Sequence, residues 1–152
     1  LYFFQAQLRL AREFDLPVLL HVRHAQDTVI KYLRQFNVHQ GIAHAFNGSF
    51  SQAEAYMKQG MHLGFGGMMT FPRSLQIRRL AAELPIERMV LETDAPDMSP
   101  SWAYKDNNYS YYLPRIAESL MQLRGLEAAA LSEHMKLNTL QVLPKLMGVL
   151  QA

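Results

Sequence analysis

The chain has 152 residues, 49% hydrophobic and 18% charged, with no long apolar tract and no low-complexity segment, which excludes a disordered protein or a membrane span and leaves one soluble domain with room for a core. Fifteen Lys and Arg against thirteen Asp and Glu give a formal charge of +2, too small to mark a nucleic-acid binder by itself, and a pI near 9.0 is compatible with a polyanionic substrate without requiring one. There is no cysteine, so disulfides and thiolate zinc sites are excluded and any metal must be held by His, Asp and Glu.

The stretch from Leu1 to Phe14 contains Arg9, Arg12 and Glu13 and lacks a small-residue cleavage site. It is therefore expected to be neither signal peptide nor span, and a cytoplasmic location is the default. Phe4, Leu8, Ala11 and Phe14 instead recur at helical spacing, and Asp15-Leu16-Pro17 ends that helix. A strand is predicted over 17–22. Ala25, Val29, Ile30, Leu33 and Phe36 then mark an amphipathic helix stopping near Asn37. A strand over 41–46 runs into the turn signal Asn47-Gly48-Ser49. Ser51-Gln52-Ala53-Glu54 reads as a capping box for a helix that Gly60 closes. A third strand, Gly-rich at its end, covers 61–67, and Ser74 is expected to cap a helix carrying Leu75, Ile77, Leu80 and Leu84.

Met89-Val90-Leu91 is too short for a helix between Pro85 and Pro96 and reads as a buried strand leading into Glu92-Thr93-Asp94. A loop of roughly twenty residues follows, long by ordinary loop lengths, with Trp102 and four tyrosines. Pro114 starts the next helix, which turns Ile116, Leu120 and Leu123 inward and stops at Gly125. A last helix is predicted from about Glu127 to Leu143.

Four strand–helix units in succession predict an α/β fold with a parallel sheet. Four units are half of a (β/α)8 TIM barrel, which typically needs about 250 residues. Residues 1–152 are thus expected to be the C-terminal part of a single barrel domain whose N-terminal part is absent. In such a sheet the carboxyl ends of the strands share one face, so His21, His44 and Asp94 should meet there. Two imidazoles and a carboxylate are a metal-site composition.

The runs Leu16-Pro17-Val18-Leu19-Leu20-His21-Val22-Arg23, His44-Ala45-Phe46-Asn47-Gly48-Ser49 and Leu91-Glu92-Thr93-Asp94-Ala95-Pro96 resemble three successive signatures of the TatD-type metal-dependent deoxyribonucleases, amidohydrolase-like TIM barrels. Asn108 and Asn138 also fall where that family tends to carry asparagine. The resemblance implies that His21, His44 and Asp94 are ligands of a site for two divalent ions, Mg²⁺, Mn²⁺ or Zn²⁺. It further implies that activated water attacks a phosphodiester phosphorus of DNA while Asp94 doubles as proton acceptor. Arg23, two residues past His21, is a candidate phosphate clamp, set against an ordinary surface ion pair. Glu92 is a candidate for orienting a ligand or holding a further ion, set against a structural role.

The chain departs from the family pattern in several places. The His-x-His pair of the first strand and a glutamate ligand precede the segment where this chain begins. The usual cysteine is Ala45, a serine is Asn47, and a proline is Ser110. Alone, the chain is expected to be inactive. The rival readings are hydrolysis of an ester, amide or lactone at the same metals, and a non-catalytic fragment that self-associates through open sheet edges. His24, His39, His62 and His134 read as surface or packing residues. Trp102, Tyr104, Tyr109, Tyr111 and Tyr112 form either a base-stacking platform or, the favoured reading, packing for the long loop. Gly64, Gly66 and Gly67 are too loosely spaced to cradle a phosphate and are expected to permit close approach near the site.

Overall fold

The computed structural model describes residues 1–150. Seven helices, α1 (Tyr2–Glu13), α2 (Gln26–Phe36), α3 (Phe50–Lys58), α4 (Leu75–Glu83), α5 (Leu113–Arg124), α6 (Ala128–Val142) and α7 (Leu146–Leu150), surround four strands, β1 (Val18–His21), β2 (Gly41–His44), β3 (Met61–Phe65) and β4 (Met89–Leu91). The strands pair in parallel in the order β1-β2-β3-β4. This is an α/β chain of TIM-barrel type supplying four βα units.

The register decides which side chains share a face. Leu19 stands opposite Ile42, and His21 opposite His44; Ile42 stands opposite His62, and Gly64 opposite Val90. Side chains alternate along a strand, so Leu20, Ala43, Met61, Leu63, Phe65 and Met89 all point to the other side. There they form the core with Leu8, Leu33, Tyr56, Leu80, Ile116, Leu120 and Leu131 from the helices. Burying side chains of this size stabilises the fold by about 1.5–3 kcal/mol each. The opposite face carries the histidines, and its Leu19 remains 72% exposed.

Several expectations are corrected. The strands over 17–22, 41–46 and 61–67 are shorter than expected, because the chain turns away after His21 and His44 and enters a 3₁₀ turn at Gly67–Thr70 after β3. The capping box is Ser49 with Gln52, in which Ser49 Oγ accepts from the Gln52 amide at 3.1 Å and Gln52 Oε1 accepts from the Ser49 amide at 3.0 Å. Ser51 lies two residues too late, inside α3. Ser74 makes no side-chain cap, and Phe14 and Leu75 are exposed because they fall off the buried stripe of their helices. The helix α7 beyond Pro144 was not expected. Gly125 stops α5 in the left-handed region, as expected.

Two buried amides and a guanidinium tie the layers together. Asn138 of α6, almost fully buried, donates from Nδ2 to the carbonyls of Ile86 at 2.7 Å and Met89 at 2.8 Å, joining α6 to the start of β4. Asn108 donates in the same way to the carbonyls of Thr93, Asp97 and Met98, fastening the long loop to the segment after β4. Arg124 reaches from α5 to the carbonyls of Ala81 and Leu84 at the end of α4. His62 is 2% exposed, with neither ring nitrogen at hydrogen-bonding geometry. Burial and the nearby Arg88 hold its pKa below the ordinary histidine value, more than the Gln141 side chain and the Glu87 backbone raise it.

Replacing Asn138 by Ala strands two buried carbonyls and should lower stability by about 2–3 kcal/mol, read from urea unfolding. The His62 ring stays neutral in the fold while the unfolded chain takes up a proton near pH 6.5, so its contribution to stability is present above that pH and is lost as pH falls through the lowered value. Thermal melts between about pH 7.5 and 5.5 should therefore fall more steeply for the wild type than for His62→Leu.

Candidate metal centre

The strand alternation brings His21, His44 and Glu92 to one end of one sheet face. His44 Nε2 lies 2.8 Å from His21 Nδ1, and His44 Nδ1 lies 3.4 Å from Glu92 Oε1. A hydrogen on His44 Nδ1 facing the carboxylate leaves Nε2 as the acceptor from His21. The carboxylate thus sets the imidazole tautomer and aims its other nitrogen outward.

Glu92 reaches His44 by crossing β3, and that crossing explains Gly64, while the Glu92 backbone itself crowds Gly66. A Cβ on Gly64 would collide with Glu92 Oε2, and one on Gly66 would come within 2.9 Å of the Glu92 carbonyl. The expectation that these glycines permit close approach is borne out. Glu92 Oε1 also accepts the Ala45 amide at 2.5 Å, an amide presented by a left-handed turn at Ala45 (φ 47). Burial pushes the Glu92 carboxyl above its ordinary pKa; the Ala45 amide and His44 pull it back, and Asp94 pushes it up again.

A cavity of about 310 Å³ opens above these groups, and His21, Arg23, His24, His44, Glu92 and Asp94 all line it. Asp94 is exposed and sits in the left-handed region (φ 58), as do His24 (φ 54) and Ala45. Three of the four strands are thus followed by a non-glycine residue in a conformation that costs on the order of 1 kcal/mol or more, a concentration of strain typical of functional sites. Arg23 is exposed and has no ion-pair partner among the described residues, so the ordinary surface-pair reading finds no support.

The donor set fits part of a metal site. Two imidazole nitrogens bound to one ion at roughly 2.0–2.1 Å lie about 3 Å apart for a near-right-angle bite, close to the 2.8 Å found between His21 and His44. A carboxylate behind one imidazole is the usual support for a histidine ligand. Among the described residues, however, no group of three or more His, Asp or Glu is spaced to hold an ion, so Asp94 shares the cavity without standing at ligand distance.

The remaining candidates separate. His39 donates to Asn37 Oδ1 at 2.6 Å and accepts from Gln59 at 2.8 Å, a structural role. His134 is half-buried away from the cavity. Trp102 and Tyr112 meet edge to face and pack against the core, with Arg115 4.2 Å over the indole. Tyr104, Tyr109 and Tyr111 are exposed, so the loop aromatics divide between packing and open surface. Sequence reasoning attached no role to Ala45, whose amide holds Glu92. A small residue directly after a strand-end histidine was its only signal.

Fold and site together define a TIM-barrel-type α/β chain with paired imidazoles and a half-buried carboxylate at its strand ends. The chain belongs to the family described as TatD related DNase, whose family model matches residues 2–144. It is 36% identical over 134 residues to the uncharacterized metal-dependent hydrolase YjjV of Escherichia coli K12, covering 88% of this chain and 52% of that protein. The crystal structure of YjjV superposes with a TM-score of 0.85 at 35% identity, over 90% of this chain and 53% of that one. A protein of Escherichia fergusonii named 3′-5′ ssDNA/RNA exonuclease TatD is 33% identical over 137 residues, covering 85% of this chain and 52% of that protein. The chain spans about half the length of the curated relatives it matches. Among the described residues no helix is long and apolar enough to cross a membrane.

Gly64→Ala should displace the Glu92 carboxylate from behind His44 and cost about 1–3 kcal/mol of stability, as overpacking does. Calorimetric melts check this, and Gly64→Ala in a Glu92→Ala background should recover most of the loss.

Proposed function

We propose that the chain supplies the C-terminal four βα units of a divalent-metal-dependent hydrolase that cleaves phosphodiester bonds, a deoxyribonuclease-type enzyme. The observation that carries this reading is the line of contacts from the Ala45 amide through Glu92 to His44 and His21, opening on a cavity that Asp94 and Arg23 also line. In this reading His21, His44 and Asp94 hold metal, and the half of the barrel that this chain lacks provides the remaining ligands. The exposed Leu19 face of the sheet is then the barrel interior, covered in the complete enzyme.

Two divalent ions, Mg²⁺, Mn²⁺ or Zn²⁺, would supply Lewis-acid polarisation of a phosphoryl oxygen and a lowered pKa for water. The residues of this chain do the rest. Glu92 keeps the proton on His44 Nδ1, which leaves Nε2 free to ligate. Arg23, exposed and without an ion-pair partner among the described residues, binds non-bridging phosphate oxygens at the cavity through its planar fork. Asp94, exposed in the cavity, would accept the proton released as water adds to phosphorus and the P–O bond to the departing sugar oxygen breaks, and would return that proton to the departing oxygen. The exonuclease name carried by relatives at about one-third identity favours a nucleic-acid substrate.

The test is hydrolysis of bis(p-nitrophenyl) phosphate with added Mn²⁺, by this chain and by a version extended to the length of its relatives. The extended version should turn over only with metal, and Asp94→Asn should lower its rate by about 10²–10⁴-fold. Metal-independent turnover, or an Asp94→Asn variant as active as wild type, overturns the reading.

A further inference from the structure

Beside the metal cavity lies a second one, built where the long loop after β4 is laid over the connection between β3 and α4. The two segments are pinned together: the Ser101 amide donates to Thr70 Oγ1 at 2.8 Å, and the Thr70 hydroxyl donates to the Gly67 carbonyl at 2.6 Å. Gly67 is packed so closely beneath the loop that a Cβ there would lie 2.6 Å from the Met98 carbonyl. The resulting cavity, of about 290 Å³, is walled by Phe71, Arg73, Tyr104 and Lys105, and it shares Met68 and Met98 with the metal cavity.

Its chemistry differs from that of its neighbour. Phe71 and Tyr104 meet edge to face at 5.9 Å and 81°, and Tyr104 leaves 57% of its surface open. The Arg73 guanidinium lies 5.9 Å from the Phe71 ring centroid and the Lys105 ammonium 5.5 Å from that of Tyr104. Neither cation has an ion-pair partner among the described residues. No carboxylate lines this cavity, whereas Glu92 and Asp94 line the other. The exposed Tyr104 ring, set edge to face on Phe71 and rimmed by cations without ion-pair partners, with methionines in the lining, suits a ligand that is planar and apolar on its face and anionic at its edge.

We propose that this cavity is a subsite for an unpaired nucleotide: its base stacks on Tyr104, its phosphates face Arg73 and Lys105, and the strand continues over Met68 and Met98 into the metal cavity. The proposal rests on the phosphodiester reading above for what lies in that neighbouring cavity. A base within a duplex has both faces covered by its stacking neighbours, so the subsite selects single strands or frayed ends.

The experiment is fluorescence anisotropy of labelled hexathymidylate, and of an abasic hexamer of the same charge, binding to the protein in EDTA. Tyr104→Ala should weaken hexathymidylate by roughly tenfold and leave the abasic hexamer unaffected, while Tyr104→Phe should bind like wild type. Arg73→Ala and Lys105→Ala should weaken both hexamers and each lower the salt dependence of log K by about one. The subsite is overturned if the wild type does not bind hexathymidylate, or if Tyr104→Ala leaves that binding unchanged or weakens both hexamers alike. Turnover of bis(p-nitrophenyl) phosphate by the unaltered extended protein reads the metal cavity separately. Base-dependent loss in Tyr104→Ala without such turnover sinks the phosphodiester reading and keeps the subsite; turnover with no Tyr104 effect does the reverse.

Discussion

The Glu92 carboxylate is the constraint around which this end of the sheet is arranged. A carboxyl taken out of water costs free energy unless it is met by donors, and here the donors are the Ala45 amide and the His44 ring. Meeting them requires the side chain to cross β3, so the position it crosses, Gly64, must be glycine. It also requires the chain after β2 to turn left-handed at Ala45. One half-buried acid thus accounts for Gly64, one strained alanine and the orientation of an imidazole.

That arrangement needs a rigid frame, and buried amides provide much of it. Asn138 and Asn108 satisfy carbonyls at the two ends of the β4 region, the first where the strand begins and the second where the chain leaves Asp94. Neither faces the cavity as a reacting group. Each fixes backbone that would otherwise have unpaired acceptors in a dry environment, and so each fixes the direction in which the strand end delivers its acids. The strain at His24, Ala45 and Asp94 is sustained by this packing and by the core beneath the sheet.

The two cavities show how one barrel face can divide its electrostatics. Acids and imidazoles gather where the strands end, with Arg23 as their one neighbouring cation among the described lining residues, while Arg73, Lys105 and the exposed Tyr104 sit on the two loops that meet at Met68 and Met98. Placing Arg73 and Lys105 away from Glu92 and Asp94 leaves both cations free to meet an anion from outside.

The element order, the parallel sheet and the position of His21, His44 and Asp94 at strand ends were legible in the sequence, because each depends on local periodicity and on turn residues a few positions apart. The same local logic erred by two residues over Ser49 and Ser51, where two nearby serines offer equivalent caps and only the chain path chooses. The sequence could not say that Glu92 rather than Asp94 contacts His44, or that Trp102 packs while Tyr104 stays open. Those outcomes depend on register and on contacts between residues as far apart as Ala45 and Glu92. Local spacing determines which residues can share a face; only the tertiary structure decides which of them touch, because burial, and with it the energetic demand for a partner, is a property of the packed sheet and not of the strand alone.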